Sequence, residues 1–81
     1  MKLKIEIRLK KGIVDPEGKN IMKALHLLHF KEVKDVKVAK LFEIFIEEKD
    51  ERRAVERANE MCKKLLANPV INDYSIEIEN D

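Results

Sequence analysis

The chain has 81 residues, with 17 Lys+Arg against 16 Asp+Glu, a net charge of +1 and 44% hydrophobic residues. The charge balance argues against a dedicated nucleic-acid binder, which carries a clear basic excess, and the apolar content argues against disorder. A single cysteine, Cys62, excludes an internal disulfide and fits a reducing compartment.

The length suits one domain. A chain of this size buries only roughly 60–65% of its unfolded surface, so a partner that covers more apolar surface is expected from the outset. The opening run MKLKIEIRLKK alternates charged and apolar residues. It reads as neither a signal peptide nor a membrane span, and a cytoplasmic protein is expected.

Lys2 to Leu9 has a period of two. Leu3, Ile5, Ile7 and Leu9 face one way, and Lys2, Lys4, Glu6 and Arg8 the other, as in a half-buried strand. Asp15-Pro16 then predicts a helix start, because Asp15 can cap and Pro16 suits the first helical position. Ile21, Leu25 and Leu28 set an apolar stripe, widened by Met22 and Ala24, over a helix at about 16–29. Gly18 weakens its first turn.

Val33 to Glu48 reads as two strands. Val36 and Val38 alternate with lysines, and Phe42, Ile44 and Ile46 alternate with Leu41, Glu43 and Phe45. A turn near Ala39-Lys40 would make them a hairpin, although neither residue takes positive φ easily. One apolar side of the later strand serves the core. The other, Leu41 and Phe45, is read as an interface for self-association, because apolar sheet faces seldom stay bare.

Asp50 caps a second helix at about 51–67. Its seam is Ala54, Ala58, Met61 and Leu65, with Val55, Cys62 and Leu66 beside it. Glu60 and Lys64 form an i,i+4 pair worth about 0.3 kcal/mol. Asn68-Pro69 stops the helix, since proline lacks the N–H and biases the preceding residue away from helical angles. Tyr74 to Glu79 alternates as a last strand, with Tyr74, Ile76 and Ile78 inward.

The order β-α-β-β-α-β predicts an α+β fold in two layers, an antiparallel sheet with two helices on one face, ferredoxin-like. In that topology the first strand lies between the third and the fourth. Lys4 and Arg8 then sit beside Glu43, Glu77 and Glu79 on the open face, where cross-strand pairs neutralise the basic row.

Little in the chain suggests chemistry. His26 and His29 are three apart on one helix, but a metal site needs a third and usually a fourth ligand. Otherwise His29 is a helix-terminal residue and His26 half exposed. Cys62 falls beside an apolar seam, where cysteine behaves as a small hydrophobe rather than a nucleophile. Asp15, Glu17 and Lys19 around Gly18 lack the spacing of a phosphate loop. Lys10-Lys11 and Lys31-Lys34 could meet a nucleic acid or an acidic partner, but an RNA-binding open face would offer only Phe45 for stacking. The residues alone leave two readings open: a subunit that works by presenting surfaces, and a stand-alone ferredoxin-like module that binds RNA or a small effector.

A resemblance separates them. The run Lys11-Gly12-Ile13-Val14-Asp15-Pro16-Glu17-Gly18-Lys19 is similar to PurS, the small subunit of phosphoribosylformylglycinamidine synthase. So are Ala24-Leu25-His26-Leu27-Leu28-His29-Phe30, with Val33 and Val36 after it, and Met61 to Tyr74. The last run is the most specific, with Leu65-Leu66-Ala67-Asn68-Pro69-Val70-Ile71 and then Asp73-Tyr74. Two glycines of the family are missing: His29 stands in a Leu-Gly-Phe position, and Ala39 in an Arg-Val-Gly-Lys position.

The resemblance implies a single PurS-like domain over 1–81 and an accessory subunit of a glutamine-dependent, ATP-consuming ligase of purine biosynthesis. It implies no catalytic residues, metal or cofactor in this chain, with ATP and glutamine used by partner subunits. The implied partners are a glutaminase subunit, a large synthase subunit and further copies of the chain, as a dimer or tetramer with segments exchanged in some cases. The implied role is bridging and ammonia transfer, with no nucleic acid and no membrane.

Overall fold

A computed structural model describes residues 1–80; Asp81, the last residue of the expected domain, lies outside the described residues. The elements are β1 (Lys2–Leu9), α1 (Pro16–Leu27), β2 (Ala39–Phe45), α2 (Glu51–Met61), a π-helical turn (Cys62–Leu66) and β3 (Asn72–Glu79). The strands form one antiparallel sheet in the order β2-β1-β3. The α+β class, the central place of β1 and the antiparallel pairing are as the order of the elements predicts.

Register follows from the alternation. Leu3 pairs with Ile44 and Ile78, and Ile5 with Phe42 and Ile76, so one face of all three strands is apolar. Leu3 and Ile5 are fully buried there beneath Ala54, Ala58 and Cys62 of the second helical segment. Each such large side chain contributes about 1.5–3 kcal/mol on leaving water. The two alanines let α2 lie close to the sheet. Tyr74, Ile76 and Ile78 pack around the same core, and the Tyr74 hydroxyl donates to Asn59 Oδ1 at 2.8 Å.

The structure corrects the expected hairpin. The sheet has three strands, and residues 33–38 form no strand. Their backbone groups are used elsewhere. The Val38 N–H donates to Asp15 Oδ2 at 2.9 Å, and the Val36 N–H to Asp35 Oδ1 at 2.9 Å. A ladder partner is thus replaced by carboxylates, one local and one on the cap of α1. Gly18 is buried because the Val36 carbonyl crosses directly above it, where a Cβ would clash.

Helix ends also differ from expectation. The first helix ends at Leu27, not residue 29, in a Schellman motif: the Phe30 N–H donates to Leu25 O at 2.9 Å and the His29 N–H to His26 O at 3.0 Å. His29 takes the left-handed conformation the motif needs, at φ 74°. The second helix loses its α geometry after Met61, and the Ala67 N–H donates to Cys62 O in an i→i+5 turn. A π turn takes more residues per revolution, so Leu66 stays near the core and Leu65, expected in the seam, is 83% exposed. Val55, also placed near the seam, is at the surface.

The two helices differ in what they cover. Helix α2 lies on β1 and β3, whereas α1 makes no extensive contact with the sheet and buries only Gly18. The protomer is correspondingly flat and long, 49 × 29 × 14 Å.

Candidate functional site

The open face of the sheet carries an ion-pair ladder. Lys2 Nζ lies 2.9 Å from Glu43 and 3.0 Å from Glu79, and Lys4 Nζ lies 3.0 Å from Glu79. Hydrogen bonds to Glu43 and Glu79 hold the Lys2 ammonium above its usual pKa. The same bonds hold both carboxyls below the usual range, with Lys4 adding to the effect on Glu79. The predicted neutralisation of the basic row is present, but Lys2 and Lys4 provide it. Arg8 faces Ala39 and Asp73 in register and pairs with Glu6 on its own strand.

Leu41 and Phe45 flank this ladder on β2. They sit opposite Glu6 and Lys2, and are 59% and 72% exposed. Lys2 Nζ lies 5.9 Å from the Phe45 ring centroid, so the ammonium covers one part of the ring. The structure therefore places both residues on one accessible face of an edge strand, whose outer backbone edge is also unpaired within the protomer.

Two further surfaces are uncovered, and the first includes the apolar stripe that helical spacing gives α1. Ile21, Leu27, Leu28 and Phe30 of the α1 region are exposed. A groove of about 310 Å³ opens on the other side of the molecule, floored by Ile44, Met61, Leu65 and Leu66 and rimmed by Arg57, Glu60 and Lys64. Only the switch to π geometry, which alternation and helical spacing do not reveal, turns Leu65 into that groove.

The candidate chemical residues are separated. His26 Nε2 lies 2.8 Å from the Val33 carbonyl and donates to it, so this nitrogen is engaged. His29 lies at the capped end of α1. Cys62 is fully buried, and burial pushes its thiol pKa up, away from the reactive thiolate. No group of three or more His, Cys, Asp or Glu suited to a metal ion occurs among the described residues. No helix among them is long and apolar enough to cross a membrane.

Three uncovered apolar surfaces on a thin α+β protomer mark the class of protein built to assemble with others. A family model described as PurS, phosphoribosylformylglycinamidine (FGAM) synthase, matches residues 2–80. The chain belongs to the PurS family. It is 49% identical over 78 residues to the FGAM synthase subunit PurS of Methanocaldococcus jannaschii, covering 96% of this chain and 94% of that one. It is 53% identical over 72 residues to the PurS subunit of Archaeoglobus fulgidus, covering 89% and 90%.

Solved structures agree. The crystal structure of M. jannaschii PurS, described as one subunit of formylglycinamide ribonucleotide amidotransferase in the purine biosynthetic pathway, superimposes with a TM-score of 0.91, covering 99% of this chain and 96% of that chain. The structure of PurLQS from Thermotoga maritima contains a chain that matches with a TM-score of 0.84 at 26% identity, covering 94% and 93%. The departures from the family pattern at His29 and Ala39 leave the fold intact. His29 itself adopts the glycine-like conformation, and Ala39 opens β2 rather than forming a hairpin turn.

Proposed function

We propose that this chain is the non-catalytic small subunit of an FGAM synthase, acting in the cytoplasm as a single PurS-like domain over residues 1–81. It bridges a glutaminase subunit and a large synthase subunit and supports ammonia transfer between them. The observation that carries this reading is the near-complete correspondence with PurS subunits along both chains. A PurS-like chain within a PurLQS structure supports the two partner classes. ATP and glutamine act at those partners, and this chain holds no cofactor, metal, nucleic acid or membrane.

Self-association completes the protomer. Helix α1 brings an apolar stripe with no cover, and the groove at Ile44, Met61 and Leu65 brings an apolar floor with no occupant. A second copy supplies both. The Leu41–Phe45 face of β2 offers a further contact, so a dimer or a dimer of dimers, with α1 exchanged between copies, covers what one chain leaves bare.

The deciding experiment is reconstitution. Glutamine-dependent FGAM formation is measured with the glutaminase and synthase subunits, with and without this chain. The expected result is loss of glutamine-driven turnover on omission, with ammonia-driven turnover retained by the synthase. Unchanged glutamine-driven activity removes the role.

A further inference from the structure

The doublet Lys10-Lys11 is not absorbed by that role. At the end of β1 it lies in a depression of about 260 Å³ with Arg8 and, from a segment distant in sequence, Lys37. Three lysines therefore line one concavity in a chain whose net charge is only +1, while Arg8, also in the lining, turns its guanidinium to Glu6. Leu9, Ile13 and Val38 give the same depression an apolar wall.

Its neutralisation is incomplete. The one carboxylate in the lining, Asp15, accepts from the amides of Gly18 and Val38, keeps its charge and offsets part of that of Lys37. Arg8 shares its charge with Glu6, but no ion pair links Lys10, Lys11 or Lys37 to an acid among the described residues. The ladder on the sheet shows the contrast, for there each lysine meets a glutamate.

The frame is fixed by the backbone. The Lys10 N–H donates to Ile71 O at 2.8 Å and the Ile13 N–H to Lys10 O at 3.0 Å. Gly12 makes the turn at φ 89°, with open space where a Cβ would stand. Asp15 Oδ2 holds Val38, next to Lys37, against the same frame. The cations thus come from braced segments, and a concave cationic site focuses the field on a small anion.

We propose that this depression binds the phosphate group of a small phosphate monoester, with Lys10, Lys11 and Lys37 on the oxygens and Leu9 and Ile13 against the organic body. Several lysines match the oxyanion through charge-assisted hydrogen bonds. The apolar wall favours the ester over free phosphate. The inference is independent of the subunit role, since it concerns binding by the purified chain.

The test is amide NMR of the full chain titrated with ribose 5-phosphate, inorganic phosphate and ribose, at low and at physiological salt. Saturable shifts confined to residues 8–13 and 37–38 are expected with ribose 5-phosphate, and none with ribose. The triple variant Lys10→Gln, Lys11→Gln, Lys37→Gln should weaken binding by about tenfold or more, equivalent to about 1.4 kcal/mol or more. The control Lys63→Gln, Lys64→Gln should leave it unchanged. Equal affinity for inorganic phosphate keeps the oxyanion site and assigns it to the free ion. Shifts spread over all lysines, or equal weakening in the control, overturn the site. Unaltered spectra of both variants without ligand show that each remains folded.

Discussion

The Asp15 carboxylate accepts the Val38 amide at 2.9 Å, across 23 residues of chain, while its other oxygen accepts the Gly18 amide at 2.8 Å. One side chain thus caps α1 and ties the 33–38 segment to it. The two backbone donors, followed by the charge of Lys37, hold the Asp15 carboxyl below the usual carboxylate range. A depressed folded-state pKa means that the stabilisation is fully present above the unfolded value, near 4, and is lost as pH falls through the lowered folded value. Asp15→Asn presents one amide nitrogen where two acceptors are needed, so one N–H loses its partner. We expect faster amide exchange at Val38 in the variant and a flatter acid limb of stability below pH ~4. Unchanged exchange at Val38 would show that the tie is not significant.

Gly18 illustrates two opposed magnitudes. Alanine in a helix is favoured over glycine by about 1 kcal/mol. A Cβ at Gly18, however, would run into the Val36 carbonyl, a backbone atom, and close on the Asp15 carboxylate. Overpacking of this kind costs about 1–3 kcal/mol. Gly18→Ala is therefore expected to destabilise the chain by about 1 kcal/mol net, read from urea unfolding. A stabilised variant would mean that the 33–38 segment gives way freely.

The same pair marks the limit of what the sequence reveals. Strict alternation in Lys2–Leu9 and Tyr74–Glu79 fixed the strands and their faces, because each meets a core on one side and water on the other. Asp15-Pro16 and Asp50 fixed the helix starts, since capping is local chemistry. The alternation of Val36 and Val38 with lysines is equally regular, yet the segment is no strand. Its amides have a closer partner in Asp15 and Asp35, which period-two counting does not register. The π turn at Cys62–Leu66 is also invisible to a 3.6-residue period, so the Leu65 groove was not legible. Leu41 and Phe45 were legible as uncovered residues because they share a strand with a complete apolar face.

His29 sits at φ 74° as the left-handed residue of the Schellman motif that ends α1. A side chain in that conformation costs roughly 1–2 kcal/mol, and only glycine avoids it. Glycine in turn loses more freedom on folding, by about 0.5–1 kcal/mol. The balance favours His29→Gly by about 0.5–1 kcal/mol. His29→Ala keeps the strain and should bring no gain. Thermal unfolding of the three proteins checks the order, Gly above His and Ala; equal midpoints for Gly and Ala would mean that φ is relaxed in solution.

Leu41 and Phe45 provide the test of assembly. Both side chains stand largely in water in the protomer, so Leu41→Asp with Phe45→Asp removes no core contact. Surface changes of this kind usually stay within about 0.5 kcal/mol each for the monomer. In an interface the same change buries two added carboxylates, Leu41→Asp opposite Glu6 and Phe45→Asp opposite a Lys2 already shared by Glu43 and Glu79, which association does not tolerate. Light scattering should then report a drop in particle mass with an unchanged circular dichroism spectrum. Leu65→Asp, in the opposite groove, separates the two surfaces. If Leu65→Asp lowers the mass and the β2 pair does not, copies meet through α1 and the groove. If the β2 pair alone lowers it, they meet through the sheet, and a tetramer that falls to a dimer with either change uses both.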